Sequence, residues 1–235
     1  MPVQTQETSL KTPVTAVVFD FDGTLSTLRH GWEDVMEPMM LDFISGGSPT
    51  EVMRREVRAY IDESTGIQTI HQMKWLAEAV KRYGLNHDAP CGPWEYKAAY
   101  DERLMVPVEE RIRQIEDGVS RETYRVPGAR CLLQTLKRHG VRLYAASGTD
   151  EVHVVREAKA LGLYPYFDEI HGARPGSEDC SKEAVIARLF EDRLLSGGQI
   201  AVVGDGKVEI RLGKAVGART LGIASDEETQ CGINE

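Results

Sequence analysis

Two aspartates stand one residue apart at the end of an apolar run. The stretch AVVFDFDGTLS, residues 16 to 26, contains Asp20 and Asp22, and a glycine and a threonine follow directly. Two carboxylates about 4 Å apart repel each other by roughly 4 kcal/mol at an effective dielectric constant of about 20. The pair therefore needs a compensating cation or a shared proton, which indicates a chemical role.

Two later strands are predicted to bring further polar residues to the same place. GVRLYAAS, residues 140 to 147, ends on Ser147, and QIAVVGDG, residues 199 to 206, ends on an acid, Asp205. In open parallel sheets, ligands bind just beyond the carboxyl ends of the strands. We therefore expect three carboxylates and Ser147 at one sheet edge. Such a set needs a cation, and an all-oxygen site favours a hard ion such as Mg²⁺.

An anion site and a lysine are predicted beside these acids. Ser147 and Gly148 are expected to open a helix, whose unpaired N–H groups favour an anion; alternatively, Ser147 or Thr149 only caps that helix. Lys182 follows Ser181 in the first turn of another predicted helix, where a cation is disfavoured by ~0.3 to 1 kcal/mol. A locally unfavourable residue hints at function, although an ordinary solvated lysine is the alternative.

Together these parts describe a phosphoryl-transfer site. It would combine a metal, a carboxylate nucleophile, a second carboxyl for proton transfer, a helix N-terminus and a lysine that neutralises phosphate. An EF-hand loop that began at Asp20 would need glycine at its sixth position and glutamate at its twelfth, but Leu25 and Gly31 stand there. Neither a P-loop nor a G-x-S-x-G elbow occurs in the sequence.

The elements that must position these residues alternate between strand and helix. This alternation favours an α/β fold, a Rossmann-like parallel sheet with helices on both faces. The predicted strands cover residues 14–20, 140–147, 199–206 and 219–224, and the predicted helices cover 128–139, 151–162, 181–194 and 207–217.

Residues 33 to about 117 break this alternation, because four helical stretches follow one another. Pro107 is expected to bend or split the last of them. The pattern predicts a helical cap domain, residues 31–117, inserted after the first strand. The α/β core would then consist of residues 14–30 and 118–235.

Composition limits the partners and the location. The formal net charge is −9 with no basic block, so we expect no nucleic-acid partner. No run approaches the ~20 apolar residues that cross a bilayer, so we expect no membrane partner. The scattered cysteines favour reduced thiols in a cytoplasmic protein. The sequence does not indicate the oligomeric state.

Four motifs together resemble the haloacid dehalogenase-like hydrolase superfamily, in its phosphatase branch with a helical, C1-type cap. DFDGT is similar to the first motif, SGT (147–149) to the second, Lys182 to the third, and GDGKVE (204–209) to the fourth. The resemblance covers about residues 14 to 224. It is specific because the four motifs occur in order and at workable spacing.

The resemblance implies a role for each acid. Asp20 would attack phosphorus to form an aspartyl-phosphate, and Asp22 would protonate the leaving oxygen and later take a proton from the attacking water. Asp20, the backbone carbonyl of Asp22 and Asp205 would hold Mg²⁺, and Glu209 would steady the site from behind the ligands.

The resemblance also implies the phosphate ligands. Ser147, Gly148 and Lys182 would bind the phosphate. Many capped relatives carry their lysine in a Lys-Pro pair, and Arg174 precedes a proline at about that place, so Arg174 competes with Lys182. We favour Lys182, because SKEAVIARLF resembles the helix start that carries the motif. Similar proteins usually continue with a helix and a strand beyond Glu235, so we expect either a truncated chain or a sheet one strand short.

The implied cap would close over the site and select the substrate. The best candidates for that selection are the stretches 64–69 and 27–32. Arg29 would bind a second anionic group or sugar hydroxyls, and Gln68 would hydrogen-bond the substrate. The alternatives are a surface arginine and a helix-start glutamine.

The sequence therefore predicts a Mg²⁺-dependent phosphatase that acts on a small phosphorylated metabolite, such as a sugar phosphate, through an aspartyl-phosphate. One alternative is a phosphomutase of the same superfamily, which returns the phosphoryl group to a sugar. The other is a non-catalytic module of a larger enzyme.

Overall fold

The computed structural model describes residues 12–174, 176–178, 181–193 and 195–223. Its strands are β1 (Ala16–Phe19), β2 (Arg142–Asp150), β3 (Glu169–Ala173), β4 (Ile200–Gly204) and β5 (Arg219–Gly222). They form a five-stranded parallel sheet in the order β3-β2-β1-β4-β5. The α-helices of these residues are α1 (Glu33–Ser45), α2 (Glu51–Glu63), α3 (Thr69–Tyr83), α4 (Pro93–Glu116), α5 (Ala129–Arg138), α6 (Glu151–Ala160), α7 (Ser181–Arg193) and α8 (Lys207–Ala215).

Helices cover both faces of the sheet. The strand β1 is buried along its whole length, and its side chains alternate between the two faces. Ala16 and Val18 pack in one apolar cluster with α7 and α8. Val17 and Phe19 pack in the other with α5 and α6. The prediction of a parallel α/β sheet with helices on both faces is therefore confirmed.

The register of the central strands brings their carboxyl ends to one level. Phe19 of β1 lies opposite Ala145 of β2 and Val203 of β4. The chain continues from these positions into Asp20, Ser147 and Asp205. The motif-bearing residues therefore lie at one edge of the sheet, as the sequence predicted.

The third strand was not predicted, and the end of the second was placed too early. β3 has the sequence EIHGA, which carries little of the β-branched enrichment of the other strands. It pairs with β2, and this pairing shifts in register between Ala146 and Asp150. Ser147 and Gly148 lie within this irregular part of β2, while α6 begins at Glu151. The prediction that Ser147 and Gly148 open a helix is therefore wrong.

Four helices, α1 to α4, follow one another between β1 and α5, as predicted. α4 continues through Pro107, so of the two expected effects, a bend or a split, the split does not occur. A proline removes one backbone hydrogen bond, here to the carbonyl of Arg103. Arg103 and Val106 are exposed, so water can replace that bond.

The helical stretch packs onto the end of the sheet that carries the motifs. Met36 and Met39 of α1 and Tyr96 of α4 belong to the same buried cluster as Phe19 and Phe21. The boundaries of a separate cap, residues 31–117, stay a prediction. In the described residues, no helix is long and apolar enough to cross a membrane.

Candidate active site

Asp20 lies at the sheet edge, directly after β1. Its N–H donates to the carbonyl of Val203 at 2.8 Å, which ties it to β4. Its side chain is buried, and its Oδ1 lies 3.0 Å from Nζ of Lys182. Burial raises the pKa of Asp20 well above its ordinary value, and Asp205 adds to this while Lys182 opposes it. Asp20 is thus a buried carboxyl group that faces a cation.

The side chain of Asp205 contacts the loop formed by Gly23 and Thr24, the last two residues of DFDGT. The hydroxyl of Thr24 donates to Oδ1 of Asp205 at 3.1 Å. Gly23 has φ +76°, and a Cβ there would lie 1.9 Å from Oδ2 of Asp205. Only glycine combines this left-handed backbone with the space that Asp205 needs. The first and fourth motifs therefore fit together through Gly23 and Thr24.

Lys182 and Glu209 form the buried floor of the site. Lys182 contacts Asp20, donates to Glu209, and donates to the carbonyl of Gly66 at 3.3 Å. Burial would lower the pKa of Lys182, but Asp20 and Glu209 outweigh it and raise that pKa above the ordinary value. Lys182 therefore stays charged. Arg174, its competitor, is exposed on the loop after β3.

The glycines of GDGKVE leave room for Glu209. A Cβ on Gly204 would lie 2.4 Å from Cγ of Glu209, and one on Gly206 would lie 2.7 Å from its Oε2. Oε2 of Glu209 is buried and receives no hydrogen bond from the described residues. Glu209 is thus held behind Asp20 and Asp205, and burial and Glu209 together raise the pKa of Asp205.

Asp22 lies in a different environment, made mainly of hydroxyl groups. Its Oδ2 accepts hydrogen bonds from the hydroxyls of Ser147 at 3.1 Å and Thr149 at 3.0 Å. The N–H of Thr149 donates to Oγ of Ser147 at 3.0 Å, which fixes that serine. Ser147 and Thr149 therefore orient Asp22, and neither hydroxyl caps α6.

The loop between α2 and α3, residues 64–68, lies directly against this edge. A Cβ on Gly148 would lie 2.9 Å from the carbonyl oxygen of Ile67 and 3.4 Å from Cα of Gln68. Gln68 is buried and precedes α3. Together with the bond from Lys182 to Gly66, these contacts hold the α2–α3 loop against this edge of the sheet. Whether Gln68 binds substrate stays a prediction.

Arg29 is buried in the protein, so the alternative of a surface arginine is wrong. Its side chain is 9% exposed, and Nη2 lies 2.7 Å from Oε1 of Glu157 on α6. Its Nε also lies 3.7 Å from Oδ1 of Asp22. Burial would lower the pKa of Arg29, but Glu157 and Asp22 raise it overall. Arg29 as a substrate ligand stays a prediction, and its charge is already engaged by Glu157.

Sequence reasoning missed two charged groups near the site. Glu157 resembles any acidic residue on a helix surface, and its partner Arg29 is distant in sequence. Lys97 of α4 donates to Asp150, at the end of β2, and to Asp101, each at 2.7 Å. The only signal for Lys97 was the position of Asp150 directly after SGT.

The chemistry of the donors fits a hard cation. Burial raises the pKa values of both Asp20 and Asp205, and the negative charge of Asp205 raises the pKa of Asp20 further. A cation would relieve this crowding. No three acidic, histidine or cysteine side chains among the described residues are arranged to hold a metal. A metal here would therefore need a further oxygen, and the backbone carbonyl of Asp22 is our candidate.

A parallel sheet with an acidic, lysine-containing site at its carboxyl edge defines a class of α/β enzymes. The sequence model of the haloacid dehalogenase-like hydrolases matches residues 14–217. The chain therefore belongs to that family, and the resemblance drawn from the four motifs is confirmed.

The sequence identity to a curated relative is low. A protein of Clostridium perfringens named "Putative pyrophosphatase PpaX" is 26% identical over 92 residues, which is 39% of this chain and 43% of that protein. The chain thus matches less than half the length of this curated relative.

Two solved structures share the fold. The β-phosphoglucomutase of Clostridium difficile matches with a TM-score of 0.63 at 14% identity, over 93% of this chain and 88% of that one. A protein of Haemophilus somnus 129pt, described as a predicted phosphoglycolate phosphatase, matches with a TM-score of 0.59 at 18% identity, over 90% and 86%. These likenesses concern the fold.

Proposed function

We propose that this protein is a Mg²⁺-dependent phosphatase that hydrolyses a small phosphomonoester, such as a sugar phosphate, through an aspartyl-phosphate on Asp20. The observation that carries the proposal is the difference between the surroundings of the two aspartates. Asp20 faces the buried cation of Lys182, whereas Asp22 is oriented by two hydroxyl groups. A nucleophile and a proton carrier need these two different environments.

The proposed reaction has two steps. In the first, a carboxylate oxygen of Asp20 forms a bond to phosphorus as the bond to the leaving oxygen breaks. The leaving oxygen keeps the electron pair and takes a proton from Asp22. In the second, Asp22 removes a proton from water, the water oxygen bonds to phosphorus, and the bond to Asp20 breaks to give inorganic phosphate.

The surrounding residues would bind and neutralise the phosphate. Lys182 would offset the charge of the phosphoryl oxygens, and the N–H of Gly148 would donate to them. The hydroxyl of Ser147 would turn from Asp22 to donate to the phosphate, while Thr149 keeps its bond to Asp22. Asp20, Asp205 and the carbonyl of Asp22 would hold Mg²⁺, with Glu209 behind them. The ion would supply positive charge that screens the phosphoryl group from the carboxylates.

The helical stretch would act as a cap that excludes water during the first step. The contacts of the α2–α3 loop with Lys182 and Gly148 support this role. The exposed free thiols of Cys91 and Cys131 support a cytoplasmic location, where thiols stay reduced.

The test is release of inorganic phosphate from a panel of phosphorylated metabolites with Mg²⁺, comparing the wild type with Asp20→Asn. We expect Asp20→Asn to lose about 10³-fold or more of the activity. Asp88→Asn is the matched control, because Asp88 is exposed on the loop between α3 and α4, and it should keep full activity.

Three results would contradict the proposal. Equal activity of the wild type and Asp20→Asn would rule out the nucleophile. Isomerised sugar phosphate with little free phosphate would indicate a phosphomutase. Binding of Mg²⁺ and phosphorylated ligand without any turnover would indicate a non-catalytic module.

A further inference from the structure

The two oxygens of the Asp22 carboxyl group have unequal surroundings. Oδ2 accepts two hydrogen bonds, from Ser147 and Thr149. Oδ1 is buried and accepts no hydrogen bond from the described residues. The charged group that faces it is Arg29, whose Nε lies 3.7 Å away. The side of Asp22 away from the hydroxyls is therefore bordered by a guanidinium.

Arg29 is held rigidly where it meets Asp22. Its Nε donates to Oε2 of Glu157 at 3.3 Å, and its Nη2 donates to Oε1 at 2.7 Å. Both partners are buried, Arg29 at 8% and Glu157 at 1% exposure. A planar guanidinium that makes two parallel bonds to one carboxylate has little rotational freedom. The edge that Arg29 presents to Asp22 is thus set by α6.

The cap side also packs against this arginine. Nη2 of Arg29 lies 3.8 Å from the sulfur of Met105, and Tyr100, also on α4, interacts with its charge. Arg29 therefore lies where the loop after β1, the core helix α6 and the cap helix α4 meet.

A buried ion pair is weak evidence for stability by itself, because desolvation of both charges offsets most of their attraction. The location of this pair beside Asp22 indicates a role in the site instead. Because Glu157 balances the charge of Arg29, the guanidinium can border Asp22 without adding a net charge to that part of the site.

We propose that Arg29, fixed by Glu157, is a positioning residue for Asp22 and holds its carboxyl group in line with the leaving oxygen. The inference rests on the proposed function, in which Asp22 gives its proton to that oxygen as the bond to phosphorus breaks. Arg29 does not touch the reacting atoms. It limits the rotation of the Asp22 carboxyl group, as Ser147 and Thr149 do from the other side.

The readout that separates positioning from structural support is the dependence of rate on the leaving group. p-Nitrophenolate departs with little need of a proton, whereas the alkoxide of an alkyl phosphate such as glycerol 3-phosphate needs one. Because kcat/KM covers the steps up to loss of the leaving group, the ratio of kcat/KM for these two substrates measures proton transfer by Asp22.

The main variant is the double change Arg29→Gln with Glu157→Gln, which removes the pair without leaving one buried charge alone. We expect kcat/KM for glycerol 3-phosphate to fall about 30-fold or more, and that for p-nitrophenyl phosphate to fall less than about threefold. Arg29→Lys keeps a charge for Glu157 but lacks the planar fork. It should move the ratio in the same direction by a smaller factor, and it decides the question if the double variant does not fold.

Arg125→Gln is the matched control. Arg125 is also buried, and its Nε donates to the carbonyl of Leu161, just beyond the end of α6, at 2.8 Å. Its loss should lower the unfolding temperature and leave the ratio of the two kcat/KM values unchanged. If the Arg29 variants change the ratio no more than Arg125→Gln does, the inference is wrong while the phosphatase proposal stands. If the wild type releases phosphate from no substrate of the panel with Mg²⁺, both proposals are wrong. If it hydrolyses only other members of the panel, an alkyl phosphate and an aryl phosphate among those members replace the two probes.

Discussion

The surroundings of Asp20 and Asp22 differ far more than their positions in the chain. Asp20 faces charges: Lys182 at 3.0 Å and the nearby carboxylates of Asp205 and Glu209. Asp22 faces two hydroxyl groups and an arginine whose charge is balanced by Glu157. Although only one residue separates them, the carboxyl group of Asp20 lies among several charged side chains. That of Asp22 lies beside an arginine whose charge is offset by a carboxylate.

The two environments allow one motif to supply two chemically different carboxyl groups. A carboxylate that attacks phosphorus needs cations that hold its charge and that of the phosphate. A carboxyl group that passes protons must be able to change its charge without disturbing its neighbours. Variants of the Asp20 region should therefore affect stability, metal dependence and activity together, whereas variants of the Asp22 region should affect proton transfer.

After the loss of the nucleophile in Asp20→Asn, the largest effect is expected at Lys182. Lys182→Met removes the cation that neighbours Asp20 and Glu209 and leaves buried carboxylates unpaired, so the free energy of unfolding should fall by about 3–5 kcal/mol. Activity should fall about 10² to 10³-fold, the usual range for loss of a preorganised charge. Chemical denaturation and phosphate release measure the two effects.

Lys214→Met provides the comparison, because Lys214 is exposed on α8. It should change neither quantity appreciably. A Lys182→Met protein with wild-type stability and activity would show that the charged region around Asp20 is unimportant.

Gly23 should give the next largest effect. In Gly23→Ala the new Cβ would collide with Asp205, which it would approach to 1.9 Å, so Asp205 must move. We expect a higher Mg²⁺ concentration for half-maximal activity, and a loss of unfolding free energy greater than the ~1–2 kcal/mol of a left-handed backbone alone.

Gly128→Ala isolates that backbone contribution. Gly128 has φ +83° and nothing within 4 Å of an added Cβ. Gly128→Ala should lose only the ~1–2 kcal/mol of unfolding free energy that comes from the backbone, and its Mg²⁺ dependence should stay the same. Equal behaviour of the two variants would exclude a link between Gly23 and the proposed metal site.

The smallest effect is expected on the hydroxyl side of Asp22. Thr149→Val removes one donor to Oδ2 and leaves Ser147 in place, so kcat/KM should fall about five- to tenfold, as for one lost hydrogen bond. Mg²⁺ dependence should stay the same. Thr123→Val changes an exposed threonine and should be silent. A changed Mg²⁺ requirement in Thr149→Val would contradict the separation of the two regions.

The residues at strand ends could be predicted from the sequence, because parallel strands place their carboxyl ends at one edge. Asp20 and Asp205 follow short apolar runs that predict buried strands, and the structure confirms these strands as β1 and β4. β3 was missed because its five residues include a glutamate, a histidine and a glycine. The irregular part of β2 was mistaken for a helix start because its Ser-Gly-Thr sequence is typical of a cap.

The environment of Asp22 could not be predicted, because it depends on tertiary packing. Arg29 and Glu157 are 128 residues apart, and nothing in either local sequence marks them as buried partners. The local sequence of Lys97 is typical of an amphipathic helix, and only the packing of α4 places it next to Asp150. Motif patterns thus identify the groups that do chemistry more readily than the groups that orient them.

Trapping the phosphoenzyme would test directly whether Asp20 is the nucleophile. The protein is mixed briefly with a phosphomonoester that it hydrolyses and with Mg²⁺, then quenched in acid, and the phosphorylated residue is located by borohydride reduction and mass spectrometry. We predict an acyl phosphate on Asp20 that forms in the wild type and is absent from Asp20→Asn. Phosphate release without any phosphorylated Asp20, or label on another residue, would contradict the account.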